Sequence, residues 1–166
     1  MIKLRNKKLL LILVGLLVVA MAIAGCSSKK AEKDVPGGPV ADDSEPMNTV
    51  TVTIECKTLE TVDKDLMDSV SDNGVMLSDT EIEIAEDKTV IDLLTEMGID
   101  FLLSGNLIDS INGLATGDGG EMSGWLFTIN GEFPTESADQ VVVNDGDKIA
   151  FLFTCDWGED VGLSFG

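Results

Sequence analysis

Histidine and tyrosine are absent from this chain of 166 residues, and basic side chains are scarce, with 11 Lys+Arg against 30 Asp+Glu and a formal net charge of −19. Each shortage excludes something. Without imidazole there is no Ser-His-Asp triad, no Cys-His dyad and no histidine-ligated zinc or haem, which removes the usual general base near neutral pH. So large an acidic excess repels nucleic acid, which binds proteins through basic surface and counterion release. Nucleic-acid binding is therefore excluded as a function, and an enzymatic one starts from a weak position. Carboxylate chemistry is conceivable with 30 acids, but nothing in the sequence marks a catalytic pair.

The few basic residues are unevenly placed. Lys3, Arg5, Lys7 and Lys8 crowd the first eight positions and precede an uncharged apolar run from Leu9 to Gly25. A basic start followed by a short apolar run is the pattern of a secretory signal peptide, and a permanent span needs about 20 apolar residues. The run ends in Ile23-Ala24-Gly25-Cys26, which resembles the lipobox of bacterial lipoproteins, where small residues precede a cysteine that becomes the lipid-bearing N-terminus. The expectation is a signal peptide over 1–25, lipidation of Cys26, and anchoring at the outer face of the cytoplasmic membrane. The alternative is an uncleaved anchor, and the length of the run and its Ala-Gly-Cys end favour processing. Because cleavage removes four basic residues and no acidic one, the exported chain is more acidic still, at −23.

From Cys26 to Met47 the chain is Ser-, Lys-, Asp-, Pro- and Gly-rich, with Pro36-Gly37-Gly38-Pro39 at its middle. Such a segment buries too little apolar surface to offset its ordering entropy and is expected to be a flexible tether. The folded domain is then 48–166, carrying 4 basic and 25 acidic residues. Val50, Val52, Ile54 and Cys56 alternate with polar residues, the mark of a half-buried strand. Asp72-Asn73-Gly74 signals a turn, and Glu81-Ile82-Glu83-Ile84 alternates again. Thr89 with Asp92 predicts an N-cap, and Val90, Leu93, Leu94 and Met97 follow helical spacing up to Gly98, giving one main helix of about ten residues. Leu102 to Gly120 is rich in Gly, Asn, Asp and Ser, and 113–120 is expected to be an exposed loop. Trp125, Phe127 and Ile129 predict a strand ending in the Asn130-Gly131 turn. Gln140 to Val143 predicts another strand, Asn144 to Asp147 a turn, and Ile149 to Cys155, apolar on both faces, a central strand.

Cys56 and Cys155 close the first and last strands. If those strands are parallel neighbours, both thiols reach one end of the sheet, and in an exported protein a Cys56–Cys155 disulfide is the expected outcome. The alternative is a pair of buried thiols too far apart to join.

A mixed sheet whose first and last strands are central and parallel, crossed by one main helix, is an α+β, β-grasp-like layout. Within it, Asp72 to Leu77, Thr89 to Leu94, Ser123 to Gly131 and Asp145 to Phe151 resemble the successive motifs of the DUF4430 family, which is similar to the C-terminal β domain of the cobalamin carriers transcobalamin and intrinsic factor. The resemblance implies contact with cobalamin or a related corrinoid. In the carriers that domain closes over ligand held partly by a helical domain, for which this sequence has no residues; the expectations that follow are weak binding by the one domain, a site completed by a partner protein or import system, or loss of the ligand. Ligand-binding candidates are Ser123, Gly124, Trp125, Phe127, Asn130, Gly131 and Trp157: flat apolar rings, unhindered backbone groups and a turn with free donors. Against this, Trp125, Phe127 and Ile129 at period two are equally the inward face of a strand. Asp156, Glu159 and Asp160 match no calcium loop, and no metal site is expected. Two functions remain, a surface-tethered corrinoid-capturing module and a non-catalytic structural or adhesion module that docks an exported protein or a wall polymer.

Overall fold

A computed structural model describes residues 46–164. The signal peptide, Cys26 and almost all of the tether lie outside them. Among the described residues no helix is long and apolar enough to cross a membrane.

The fold is mixed α+β. Strands β1 (Met47–Glu55), β2 (Val75–Ala85), β6 (Gly124–Ile129) and β7 (Lys148–Thr154) form a four-stranded sheet in the order β2-β1-β7-β6. β1 pairs antiparallel with β2, from Met47 opposite Ala85 to Glu55 opposite Val75, and parallel with β7, from Thr51 opposite Lys148 to Glu55 opposite Leu152. The first and last strands are thus central and parallel, the layout expected of them. Val50, Val52 and Ile54 of β1 and Ile149, Phe151 and Phe153 of β7 are buried in one core with Leu93 and Leu94 of the main helix. Truncating either phenylalanine there would cost about 3–5 kcal/mol.

Three short strands, β3 (Phe101–Ser104), β4 (Leu107–Ile111) and β5 (Leu114–Ala115), make a separate antiparallel sheet, of which only β5 falls within the loop expected over 113–120. Its strands are two to five residues long and divided by turns at Gly105 and Gly113, both with positive φ, so no alternation develops long enough to read. This second layer departs from a plain β-grasp.

Helix α1 (Lys64–Val70) was also not anticipated; Asp63 caps it, accepting from the Leu66 N–H at 2.9 Å. The expected helix is α2 (Val90–Glu96), with Thr89 Oγ1 accepting from the Asp92 N–H at 3.2 Å and Asp92 Oδ2 accepting from the Thr89 N–H at 2.9 Å. It spans seven residues rather than ten. Gly98, at φ 66, closes it where expected: the Ile99 N–H reaches the Leu94 carbonyl at 3.1 Å and the Gly98 N–H the Thr95 carbonyl at 3.0 Å, a Schellman closure.

The strand expected at Gln140–Val143 does not form. The Val141 carbonyl accepts from the Val90 N–H at 3.0 Å and the Val143 N–H donates to Lys88 at 2.9 Å, so the segment straps the start of α2 through a single bridge, Thr89 to Val142. Its β-branched residues suit a strand, but no sheet edge lies beside them. Cys56 and Cys155 are both free thiols in this structure. Cys56 donates to Ser71 Oγ at 3.4 Å and Cys155 to Thr58 Oγ1 at 3.6 Å.

Candidate functional site

The edge strand β6 and the small sheet enclose two open clefts that share a ridge made by Leu107, Ile108, Trp125 and Leu126. The larger, about 530 Å³, runs past Phe127 and the Phe133–Ala138 loop. The smaller, about 320 Å³, is lined by Ser104, Asp109, Thr116, Met122, Ser123, Gly124, Thr154 and Trp157 in addition to the ridge. Both volumes lie in the range of small-molecule sites.

Of the seven sequence candidates, four meet at the smaller cleft: Ser123, Gly124, Trp125 and Trp157. Their contributions differ. Trp125 is 8% exposed, packs edge-on to Phe153 with ring centres 5.2 Å apart, and donates its indole N–H to the Leu114 carbonyl at 2.8 Å. It is chiefly core, as its period-two spacing allowed. The Ser123 hydroxyl is spent on the chain itself, accepting from the Gly117 and Gly119 N–H groups at 3.2 and 3.0 Å and donating to Gly120 at 2.8 Å. Gly124 pairs with Thr154 at the start of β6 and leaves the wall without bulk.

Trp157 is the reverse case. Its side chain is 64% exposed, yet its backbone sits at φ 52, a region that non-glycine residues enter at a cost. The turn holds it there. The Trp157 N–H donates to Met122 at 3.0 Å, Thr154 Oγ1 accepts from the Gly158 and Asp156 N–H groups at 2.7 and 3.1 Å, and Asp160 accepts from the Cys155 N–H at 2.7 Å and from the Thr154 hydroxyl. Gly158 is required beside it, because at φ 100 a Cβ would lie 2.8 Å from Leu126 and Leu163. An exposed aromatic ring is thereby presented on a fixed backbone.

The other three candidates do not join them. Phe127 lines the larger cleft and stacks on Phe151 in a tilted arrangement with centres 6.4 Å apart. Asn130 and Gly131 form the expected tight turn, with φ of 54 and 85, closed by the Ile129–Glu132 bridge. The Asn130 amide is not free to meet a ligand: it donates to Asp147 Oδ1 at 2.9 Å and accepts from the Lys148 N–H at 3.0 Å, fastening the turn to β7. Leu107, Met122 and Asp109 complete the smaller cleft and were missed, because they come from β4 and the loop before β6, where the sequence shows no pattern.

Electrostatically the cleft is sparse. Asp109 is the one charged residue of its wall. Among the described residues no group of three or more His, Cys, Asp and Glu side chains is placed to hold a metal. Asp160, considered for calcium from the sequence, is committed to Thr154 and Cys155.

The DUF4430 resemblance holds over part of the chain, since the model of that family, a domain of unknown function, matches residues 87–154. The helix cap, the Ser-Gly-Trp strand and the Gly-Asp-Lys-Ile block fall within the match. No curated protein matches the chain. Among solved structures, a protein from Ruminococcus gnavus provisionally described as metal binding is 21% identical, with 64% of this chain and 96% of that one covered and a TM-score of 0.43. Haptocorrin in complex with Cbi is 13% identical with a TM-score of 0.48; 68% of this chain is covered, and the chain spans 26% of haptocorrin's length.

Proposed function

We propose that this protein is an extracytoplasmic lipoprotein, anchored through lipid on Cys26 at the outer face of the cytoplasmic membrane, whose β-grasp-like domain binds a small molecule without catalysis. Cobalamin or a related corrinoid, captured ahead of an import system or partner protein, is the most concrete ligand. The observation that carries the reading is the exposed Trp157 ring, fixed on a strained backbone at the mouth of a cleft of about 320 Å³. Strain of this kind, worth about 1–3 kcal/mol, tends to be kept where function needs it. A corrin is a broad, largely apolar plate, and the shared ridge with a cleft on either side offers it a surface wider than either cleft. The sequence resemblance to the cobalamin carriers' β domain supports this choice among flat ligands. Histidine being absent, any protein ligand to cobalt would have to be of another type.

A second reading, docking of an exported protein or wall polymer, is favoured by β3, where Leu102 and Leu103 are exposed.

Calorimetric titration of the full chain in nonionic detergent with cyanocobalamin and with cobinamide separates the two. Binding of either corrinoid, lost in Trp157→Asn with the fold retained, is the expected result. The absence of heat at high micromolar corrinoid would overturn the ligand reading in favour of docking. Retention of lipid labelling in Cys26→Ala would overturn the anchor.

A further inference from the structure

The wall of the smaller cleft carries a charge that the fold leaves unanswered. Asp109 is half-buried on β4 between buried Ile108 and Ser110. Its carbonyl accepts from the Thr116 N–H at 2.8 Å, but among the described residues its carboxylate takes part in neither a hydrogen bond nor an ion pair. Lys57 pairs with Glu55 and Lys64 with Asp68, and no lysine lines the cleft. The same cleft is lined by Leu107, Met122 and Trp157, all with large exposed apolar surface.

Three classes of occupant fit poorly. An anion meets an unpaired carboxylate on a domain with 25 acidic residues and 4 basic ones. A neutral hydrophobe would strip water from Asp109 and return nothing for it. A bare metal ion needs several oxygen ligands, and the cleft offers one carboxylate. An organic cation with an apolar body answers each feature. Its charge is countered by Asp109, its surface packs on Leu107 and Met122, and its positive face lies against the Trp157 ring. An alkylated ammonium suits the wall better than a primary amine, because its methyl groups cover the apolar surface of Leu107 and Met122 that a bare ammonium would leave in water.

We propose that the cleft between β4, β6 and the Trp157 turn is a site for a small quaternary or alkylated ammonium group, with Asp109 as counter-charge and Trp157 as aromatic wall. This deepens the small-molecule reading of the same cleft and rests on it.

The test is calorimetry on the full chain in nonionic detergent at low salt, with choline and its uncharged isostere 3,3-dimethyl-1-butanol as probes. Choline is expected to bind about tenfold more tightly than the alcohol, and this preference to fall within about twofold in Asp109→Asn. Trp157→Asn, which suits a positive φ, is expected to lose both probes with its circular dichroism unchanged. Equal affinities in the natural protein, undiminished choline binding in Asp109→Asn, or no choline heat up to about 10 mM would each overturn the proposal. A choline failure beside retained cyanocobalamin binding removes this inference and leaves the corrinoid reading standing. Choline binding beside a cyanocobalamin failure does the opposite.

Discussion

The indole N–H of Trp125 donates to the carbonyl of Leu114 at 2.8 Å, joining the edge strand of the large sheet to the last strand of the small one. Leu114 is fully buried and is paired with Ile111 in the small sheet. Trp125→Phe keeps most of the ring's packing on Phe153 and removes the donor. We expect a loss of about 1–3 kcal/mol in denaturant unfolding, with faster amide exchange concentrated in β4 and β5. A uniform change across both sheets would show that the bond does not couple them.

Trp157 should show opposite signs for stability and binding. Trp157→Gly relieves a left-handed backbone that tryptophan enters at a cost, and removes a side chain that is mostly in solvent. The melting temperature is expected to stay level or rise by a few degrees, while ligand heat in the calorimeter disappears. A fall in melting temperature would mean that the ring packs on the fold rather than serving the cleft.

Asp92 gives a pH dependence with a definite sign. Hydrogen bonds from the Thr89 backbone, and then from its hydroxyl, hold the Asp92 carboxyl below the usual carboxylate range. A carboxyl with a lower pKa folded than unfolded binds fewer protons when folded, so its contribution is complete above the unfolded pKa and is lost as the pH falls through the folded one. Asp92→Asn should therefore cost stability at neutral pH, and the difference from the natural protein should shrink as melts are taken down to about pH 3. Thr89→Ala, which removes the hydroxyl half of the cap and leaves the backbone N–H bond to Asp92, should cost about 1 kcal/mol at neutral pH.

Burial pushes both thiols up: desolvation is the leading cause at Cys56 and at Cys155, and only hydroxyl bonds from Ser71 and Thr58 work against it. With thiolate scarce, iodoacetamide should label the native protein slowly at neutral pH, the half-buried Cys155 ahead of the fully buried Cys56, and intact mass should show two additions after unfolding without reductant. A mass two hydrogens low, with labelling only after reduction, would instead report a bridge.

Gly119 lies where a methyl group has no room. A Cβ there would approach Cys155 Sγ to 2.9 Å, the Phe153 ring to 3.0 Å and Leu59 to 3.2 Å. Gly119→Ala should lose about 1–3 kcal/mol by overpacking, whereas Gly120→Ser meets open space and is disfavoured by its φ of 110 alone. Parallel denaturation of the two variants tests the difference.

Legibility from sequence followed how local the cause was. β1 and β7 were plain because period-two alternation and a doubly apolar run are written in consecutive residues, and the α2 cap because Thr89 and Asp92 are three apart. The Asn73-Gly74 and Asn130-Gly131 turns were equally plain, since their positive φ values restrict which residues can stand there. The small sheet was not: its strands are too short for a period, and its exposed Leu102, Leu103 and Leu107 resemble any loop with stray apolar residues. At Gln140–Val143 propensity pointed to a strand, and the absence of a neighbouring edge overruled it.

By itself, then, the sequence determined the acidic balance, the absence of imidazole, the expectation of export and lipidation at Cys26, and the apolar patterns of the first and last strands, because each depends on residue type or on spacing along one short segment. Tertiary structure alone decided which candidates line a cleft. It committed the Asn130 amide to β7 and sank Trp125 into the core, while it fixed Trp157 outward and set Asp109, Met122 and Leu107 around it. A cleft is made by side chains from β4, β6 and the turn after β7 meeting in space, and the packing that brings them together has no counterpart in any single stretch of chain.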